Sequence, residues 1–408
     1  MRLPAARRNA SASARSRAAA LLAACLAIVP NASAQPPEAS TATEQGPFAP
    51  ILDPEDGMLD LSETLSTAVG FLPIPTIITE PAVGYGGGIG ALFLHDPFAG
   101  VPIDQQRRTE GEVTAGEHPR RKPPSMSFAG GGGTANGTWY AGGGHQGFWL
   151  DDRLRYTGAL LYSSINLDFF GPGGNFPAIP FSVEGIGLIQ ELKARIGDTD
   201  LFLGGRYVLL DSTTRIAPGA TPGFPNRSAK TTLSGIGPVA TFTTLDNVLT
   251  PHRGIDLDLR ALFYNDGLGS DFNYQKYDAI LQGFWDPHPR VVIGALFDGR
   301  FSRGRLPFYT LPSVQLRGVP ALRYQGEHAL SGEFEVRWRF LGRWSAVGFA
   351  GVGGTLPTSS NAGTVVAGGG GFRYLIARLL GLEVGLDVAV GEEDTVVYIQ
   401  VGNAWGSR

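Results

Sequence analysis

The stretch Leu316–Leu341, LRGVPALRYQGEHALSGEFEVRWRFL, contains the segment that decides the fold. From Glu333 to Phe340, charged and apolar residues alternate without a break. Glu333, Glu335, Arg337 and Arg339 fall on one face, and Phe334, Val336, Trp338 and Phe340 fall on the other. A period of two is typical of a β-strand. A soluble sandwich would turn the charged face to water, whereas a membrane barrel would turn it to a wet lumen. This segment alone leaves both alternatives open.

The first residues of the chain predict export. Met1–Ala34 combines a basic start, an apolar run from Ala18 to Val29 and a cleavage site at Ala32–Ala34, so we expect a signal peptide and a mature chain that begins at Gln35. A lipoprotein cleavage before Cys25 is the alternative. Cys25 is the only cysteine, so the expected mature chain has no disulfide, no thiolate catalysis and no cysteine-based zinc site.

Composition narrows the class of protein further. The chain has 408 residues, 58 of them glycine, and only 17% are charged, which is below the usual quarter. A formal net charge of −4 gives no reason to expect a nucleic acid partner. After the predicted signal peptide no apolar run is long enough for a membrane-spanning helix. These features favour an exported, all-β protein.

Segments with strand-like composition recur along the chain, with turn residues between them. We predict sixteen strands, an even number, as in bacterial outer-membrane barrels. Alternation like that of Glu333–Phe340 recurs in Ile255–Phe263 and Leu382–Val390, and a soluble sandwich would not need so many strands in succession. The predicted strands are Leu72–Thr79, Ala82–His95, Ser125–Thr134, Gly137–Leu150, Leu154–Phe170, Phe181–Ile196, Leu201–Ile216, Thr231–Leu245, Gly254–Tyr264, Phe272–Trp285, Val291–Arg303, Ala329–Leu341, Ser345–Gly353, Thr364–Leu375, Leu382–Val390 and Thr395–Trp405.

The predicted fold class is therefore all-β, a 16-stranded antiparallel transmembrane β-barrel of the outer membrane. The domain organisation that we expect is a signal peptide at 1–34, a periplasmic N-terminal segment at 35–70, the barrel at 71–405 and a tail at 406–408. Asp104–Pro124 is polar and predicts a mobile loop.

Connection lengths and tryptophans predict which end of the barrel faces the periplasm. Short turns interleave with longer links, and in outer-membrane barrels the short turns are periplasmic. Four tryptophans fall at the ends of the short turns, where an aromatic belt at the membrane interface is expected. They are Trp149, Trp285, Trp344 and Trp405.

Several motifs resemble those of the BamA/TamA family of outer-membrane proteins, also called bacterial surface antigens. Leu316-Arg317-Gly318-Val319 is similar to the family's V-R-G-F/Y motif, which lies on the sixth extracellular loop and folds back into the lumen. Five predicted strands follow it, as in the family. Gly371-Phe372-Arg373-Tyr374, Asp387 and Tyr398–Trp405 resemble the closing strands. The resemblance implies that the loop with Arg317 inserts into the lumen.

Two further matches extend the resemblance to most of the chain, from Phe71 to Trp405. Asp246 with Pro251 and Gly254 is similar to the family's D-x-x-x-x-P-x-x-G link between strands. Thr79-Glu80-Pro81, with Gly84, resembles its first hairpin.

The sequence also departs from the family pattern. Val319 stands where the loop motif has an aromatic residue, and Gly351 stands where the family has the acidic partner of the loop arginine. Glu335 or Glu333 on the neighbouring strand is the expected substitute, because a guanidinium in the lumen needs a carboxylate. Arg337, Arg373 and Asp387 are the other expected lumen partners. The family's periplasmic POTRA domains do not fit in 35–70.

Three functions follow as hypotheses. The resemblance implies a barrel that assists insertion, assembly or export of outer-membrane components, with a poorly paired seam marked by Pro73 and Pro75 at one side and Trp405 at the other. Its expected partners are outer-membrane lipids including lipopolysaccharide, and unfolded outer-membrane proteins or a periplasmic protein. The alternative is a passive pore for small solutes. Charges on the predicted inward faces would then set its selectivity: Asp256, Arg260, Asp298, Arg300, Glu333 and Arg337.

An enzyme is the third hypothesis, and the sequence disfavours it. No G-x-S-x-G elbow occurs, and no histidine pair has the spacing of a zinc motif. His252 and His288 fall in or beside predicted periplasmic turns. We therefore expect no catalytic residue, no metal site and no cofactor.

Overall fold

The computed structural model describes residues 52–53, 55–62, 65, 70–95, 124–171, 177–216, 228–356 and 363–406. The predicted signal peptide, most of the N-terminal segment, residues 104–123 of the predicted polar loop and the last two residues of the tail lie outside the described residues.

Sixteen strands form one antiparallel sheet in which each strand pairs with the next in sequence. The sheet curls into a nearly closed barrel, which confirms the predicted fold class. The strands are β1 (Gly70–Ile78), β2 (Gly86–Leu94), β3 (Met126–Thr134), β4 (Trp139–Trp149), β5 (Leu154–Phe169), β6 (Ile179–Arg195), β7 (Leu201–Ile216), β8 (Ser228–Thr243), β9 (Gly254–Tyr264), β10 (Tyr274–His288), β11 (Val291–Gly304), β12 (His328–Leu341), β13 (Trp344–Leu356), β14 (Thr364–Ala377), β15 (Leu382–Val390) and β16 (Thr395–Val401).

No helix among the described residues is long and apolar enough to cross a membrane.

Side chains on β12 alternate between the lumen and the outside, as the sequence predicts. Glu333 is 4% exposed and faces inward, whereas Phe334 and Trp338 are 48% and 53% exposed on the outer face. Residues that pair across neighbouring strands point to the same side of the sheet. The alternation on β12 therefore continues on β11 and β13.

The final strand is shorter than predicted. It ends at Val401 and not at Trp405, because Gly402 has a φ of +71° and turns the chain out of the sheet. The side chain of Asn403 then accepts a hydrogen bond from the Trp405 amide at 3.1 Å, which closes the turn. Trp405 is consequently buried inside the barrel at 3% exposure.

The predicted aromatic belt holds for the tryptophans that stay on strands. Trp149 and Trp285 face outward at the short-turn end with exposures of 41% and 62%. The prediction was wrong for Trp405, which packs inside against Phe284. The strand ends place the four predicted short turns at this end; the connections from β2 to β3 and from β8 to β9 join strands at the same end and are longer.

The long connection between β11 and β12 lies in the lumen. Ser313 and Gln325 form an isolated β-bridge, so the chain enters and returns as a narrow hairpin. Its apolar side chains pack against the inward face of β14 through Val365 and Ala367. We call residues 311–325 the inserted loop.

No ladder joins β1 to β16 among the described residues, so each of these strands has a free edge. Pro73 and Pro75 lie on β1 and are exposed. We call the region between β1 and β16 the seam.

Candidate functional site

The guanidinium of Arg317 sits among three carboxylates inside the barrel. Its Nε lies 2.8 Å from Glu333 Oε1, its Nη2 lies 2.7 Å from Glu335 Oε2, and its Nη1 lies 2.8 Å from Asp387 Oδ2. The ring of Phe349 covers the guanidinium at 3.7 Å. Arg317 is only 5% exposed, so these contacts replace its water shell.

Two further side chains, one of them charged, donate hydrogen bonds to these carboxylates. Arg373 donates two hydrogen bonds to Asp387, at 2.5 and 2.8 Å. The indole Nε1 of Trp405 donates to Glu333 Oε1 at 2.6 Å. We call Arg317, Glu333, Glu335, Arg373 and Asp387 the charged cluster. Buried charges persist when they are paired and hydrogen-bonded in this way.

The glycine of the loop motif allows a close backbone approach. Gly318 has a φ of +90°, and a Cβ there would lie 3.2 Å from Ala389 Cβ and 3.3 Å from Gly391 N. Its amide donates to the hydroxyl of Tyr398 on β16 at 3.0 Å. The next residue, Val319, is buried among apolar loop side chains, where an aliphatic side chain serves in place of an aromatic one.

Steric crowding explains the glycine at the position of the expected acidic partner. A Cβ on Gly351 would lie 2.7 Å from Leu316 Cδ2 and 2.8 Å from the carbonyl oxygen of Gly332. The packed loop therefore leaves no space for a side chain there. Both of the residues that the sequence offered as substitutes, Glu333 and Glu335, contact Arg317.

Arg337 is not in contact with the loop arginine. Its Nη1 lies 3.2 Å from Glu383 Oε2, and its Nη2 donates to the carbonyl of Pro251 at 2.7 Å. Arg337 thus fastens the link between β8 and β9 to the lumen wall. In that link, Asp246 Oδ1 accepts hydrogen bonds from the amides of His252 and Arg253 at 3.0 and 3.2 Å.

The inserted loop also contacts the first hairpin, which sequence reasoning did not anticipate. Glu80 Oε1 accepts a hydrogen bond from the Ala321 amide at 2.9 Å. Farther along the loop, Arg323 Nε donates to Glu393 in the turn between β15 and β16 at 2.7 Å. The loop therefore touches both sides of the seam. The match at Thr79-Glu80-Pro81 was the only sequence signal for the first of these contacts.

A second arginine is enclosed at the short-turn end. Arg343, in the turn between β12 and β13, lies 2.5 Å from Asp53, 2.7 Å from Asp56 and 2.6 Å from Asp60. Hydrogen bonds from Ser62 and Arg343 outweigh burial and hold the pKa of Asp60 below its usual value. We call residues 52–62 the strap. It contains clustered aspartates, but nothing in the sequence pointed to Arg343 as their partner.

A cluster of three polar side chains lies on the outer face of the sheet near β3 and β4, where apolar residues are expected. Ser127 Oγ lies 2.8 Å from His95 Nε2 and 2.8 Å from His145 Nδ1, and the His145 ring stacks against Trp149. Sequence reasoning missed this contact because the residues are far apart in the chain. Within the described ranges, no group of three or more histidine, cysteine, aspartate or glutamate side chains is placed to hold a metal ion.

A cavity of about 470 Å³ lies between the inserted loop, the inward faces of β9 to β11, and β16. It has both acidic and basic walls, and the arginines there are paired, for instance Arg300 Nε with Asp298 at 2.9 Å and Arg260 Nε with Asp258 at 2.5 Å. Its polar lining includes Glu80, Arg260, Asp278, Arg300, Tyr398 and Gln400.

Comparison with solved structures finds outer-membrane barrels. The chain is similar to BamA from Haemophilus ducreyi lacking POTRA domains 1–3, with a TM-score of 0.53, 9% identity, and coverage of 82% of this chain and 69% of that one. It is similar to CdiB from Escherichia coli, with a TM-score of 0.55, 12% identity, and coverage of 81% and 61%. For CdiB from Acinetobacter baumannii the TM-score is 0.52, with 9% identity and coverage of 81% and 59%.

These likenesses show the fold. The chain spans about three fifths of the length of each CdiB structure that it matches. No protein-family model and no curated protein matches the chain.

Proposed function

We propose that this chain is an integral outer-membrane barrel of the BamA/TamA type, which assists insertion, assembly or export of outer-membrane components at its seam. The observation that carries the proposal is the position of the inserted loop, which contacts Glu80 in the first hairpin and Tyr398 on β16. A buried loop that holds both margins of an unpaired seam suits a barrel that must part there and close again.

The chemistry of a free strand edge supports the same role. An edge strand presents backbone groups that can pair with an incoming strand. In this proposal the client is an unfolded outer-membrane protein, and lipids including lipopolysaccharide surround the wall. The proposal assigns no catalytic step, metal or cofactor to the chain.

The test is the folding rate of a small, urea-unfolded outer-membrane protein into liposomes with and without the full-length barrel. We expect acceleration by the native protein and its loss in Arg317→Ala, since the alanine variant releases the loop from the wall. Arg305→Ala is the matched control, because it removes an exposed arginine of the same connection between β11 and β12, outside the charged cluster. Equal rates with empty liposomes and with the native barrel would overturn the proposal.

A passive pore is the second candidate, and the mixed-charge cavity beside the seam favours it. Planar-bilayer conductance measures this function directly. If solutes pass through this cavity, Arg260→Ala and Arg300→Ala will shift the ion selectivity toward cations, because each removes a positive charge from the wall. An unmeasurable conductance of the native protein would contradict the pore.

A further inference from the structure

A second cavity, of about 620 Å³, lies in the lumen against the inward faces of β1 to β7. The pairing register from β1 through β12 places the side chains that point into it on the same face of the sheet as the inward-facing Glu333. We call it the apolar cavity. Its inward side chains are those of Ile74, Thr76, Leu92, Phe128, Tyr140, Ala159, Leu161, Ile189, Val208 and Leu210.

The lining carries no charge, and only two of its side chains, Thr76 and Tyr140, have a hydroxyl. Glycines alternate with these residues. A Cβ on Gly130 or Gly142 would lie 2.8 or 2.5 Å from a carbonyl oxygen of a neighbouring strand, but elsewhere the wall is open. Gly187, for example, has no atom within 4 Å of the position that a Cβ would take. Phe128 is 49% exposed and Leu161 is 39% exposed, although both face the lumen. Large apolar surface inside a barrel is thus left uncovered, and its volume falls within the usual range for ligand sites.

The shape of the cavity distinguishes among apolar ligands. It extends over seven adjacent strands, and strands lie about 4.8 Å apart, so the wall is about 29 Å wide along its curve. A long, flexible hydrocarbon chain fits such a wall better than a compact ring does. Ile74 and Thr76 form the margin of the cavity on β1, whose other edge borders the seam. A chain in the surrounding membrane therefore has a route to the cavity.

A basic group lies next to the cavity on β7. Arg206 occupies the inward position that precedes Val208, which is about 7 Å along the strand. Its Nη1 lies 3.2 Å from Glu191, but its Nε is buried and has no hydrogen-bond partner in the described part of the chain. A carboxylate at this position would accept a hydrogen bond from that Nε.

We infer that the apolar cavity binds a long-chain fatty acid, with its hydrocarbon chain against β1 to β7 and its carboxylate at Arg206. This inference is separate from the role in insertion or export, since it requires no client protein and no opening of the seam to a polypeptide.

Photo-cross-linking with a diazirine-labelled palmitic acid tests the inference, using the full-length barrel in nanodiscs and mass-spectrometric mapping of labelled residues. Because inward and outward side chains alternate, the map itself separates lumen from annular lipid. We expect labels at Phe128, Leu161 and Ile189, competed by unlabelled palmitate. Labels confined to outward residues that do not line the cavity, such as Tyr162 and Ile186, would overturn the inference.

Matched variants make the test specific. Gly187→Leu fills the apolar cavity without a clash, and we expect lumen labelling to fall about tenfold because side chain and ligand overlap. Gly348→Leu is the control, since Gly348 lies on the outer face and is equally open. Unchanged labelling of lumen residues in Gly187→Leu would overturn the inference. Heat-modifiable migration on SDS gels verifies that both variants fold.

The carboxylate contact has its own readout. Arg206→Gln is expected to lower lumen labelling by palmitic acid about tenfold and to leave labelling by the matching diazirine fatty alcohol unchanged. Equal effects on acid and alcohol would remove Arg206 from the site. A phosphatidylcholine that carries the diazirine on its acyl chain distinguishes the source: lumen labelling by this lipid and not by the free acid would overturn the choice of a fatty acid.

Discussion

Between β12 and β15 the lumen wall carries Glu333, Glu335, Arg373 and Asp387, and the inserted loop fills the space in front of them. Between β1 and β7 the wall carries glycines and apolar side chains, and the space in front of them is the apolar cavity. A buried charge must have a partner, so the charged wall specifies the loop that covers it. An apolar wall needs no charged partner, so a molecule that binds there can leave and be replaced. One barrel thus combines a loop held by buried charges with an apolar inner surface that the loop does not cover.

The largest expected difference between the two regions is their response to truncation. Asp387→Ala leaves the buried Arg373 without its carboxylate partner and takes one of three carboxylates from Arg317, so we expect a loss of about 3–5 kcal/mol in the free energy of unfolding. Leu161→Ala, in the apolar cavity, should cost about 1 kcal/mol, because a half-exposed leucine loses few contacts. Urea midpoints from tryptophan fluorescence in micelles measure both. Equal losses would mean that the two regions do not differ in this way.

An added side chain should again destabilise the region under the inserted loop more than the apolar cavity. Gly351→Leu places a Cβ 2.7 Å from Leu316, so we expect a loss of about 1–3 kcal/mol from overpacking and displacement of the inserted loop. Gly187→Leu meets open space and should change the free energy of unfolding by less than about 1 kcal/mol. The same urea series compares them. A larger loss for Gly187→Leu than for Gly351→Leu would contradict the open space next to Gly187.

Acid should separate the strap from the charged cluster. Burial raises the pKa of Asp60 and of Asp56, but the contacts of Asp60 with Ser62 and Arg343, and those of Asp56 with Arg343 and the Met58 amide, together exceed it and hold both pKa values below the usual value. The strap is therefore fully stabilised above the ordinary aspartate pKa of about 3.9 and loses that stabilisation as the pH falls through the lower folded values.

Hydrogen–deuterium exchange of residues 55–62, compared with residues 333–341 at pH 7 and near pH 3, measures this effect. Exchange from the strap should rise at low pH. In Arg343→Met it should be fast at both pH values, since the partner of the aspartates is absent. A strap in that variant that still responds to pH would show that Arg343 is not the cause.

The smallest change in the free energy of unfolding is expected at Arg323, whose partner in the inserted loop's outer contact is partly exposed to water. Arg323 pairs with Glu393, whose side chain is 42% exposed, so water competes with the contact. Arg323→Ala should lower the free energy of unfolding by less than about 1 kcal/mol. Double-mutant cycles with Glu393→Ala isolate the pair. A coupling energy as large as that between Arg317 and Asp387 would contradict the expected difference between the exposed Arg323–Glu393 pair and the charged cluster.

The order of the strands and the two faces of β12 could be predicted from the sequence. On β12 charged residues alternate with apolar ones, so each side chain can be assigned to the lumen or to the outside. The carboxylates around Arg317 were also predictable, since a guanidinium in the lumen needs them. The apolar cavity was not. In β2 to β4 both faces consist largely of glycine and apolar residues, so composition does not tell inside from outside. Only the register with neighbouring strands settles the face.

Trp405 shows a different limit of sequence reasoning. A tryptophan near the end of a predicted strand resembles an interface anchor, and its placement in the lumen depends on one backbone angle at Gly402. Arg343 is similar, because its partners lie almost three hundred positions away in the chain. Contacts between residues so far apart in the chain produce no periodic pattern in a single sequence.

The prolines of β1 have a consequence for the lifetime of any pairing at the seam. Backbone carbonyls of Ile74 and Thr76 point toward β2, so Pro73 and Pro75, which alternate with them, point toward the free edge. At these two positions the edge can accept hydrogen bonds but cannot donate them. A strand that docks there forms an incomplete ladder and dissociates readily. The edge is thereby suited to repeated use, and it resists the permanent edge-to-edge association that would lead to aggregation.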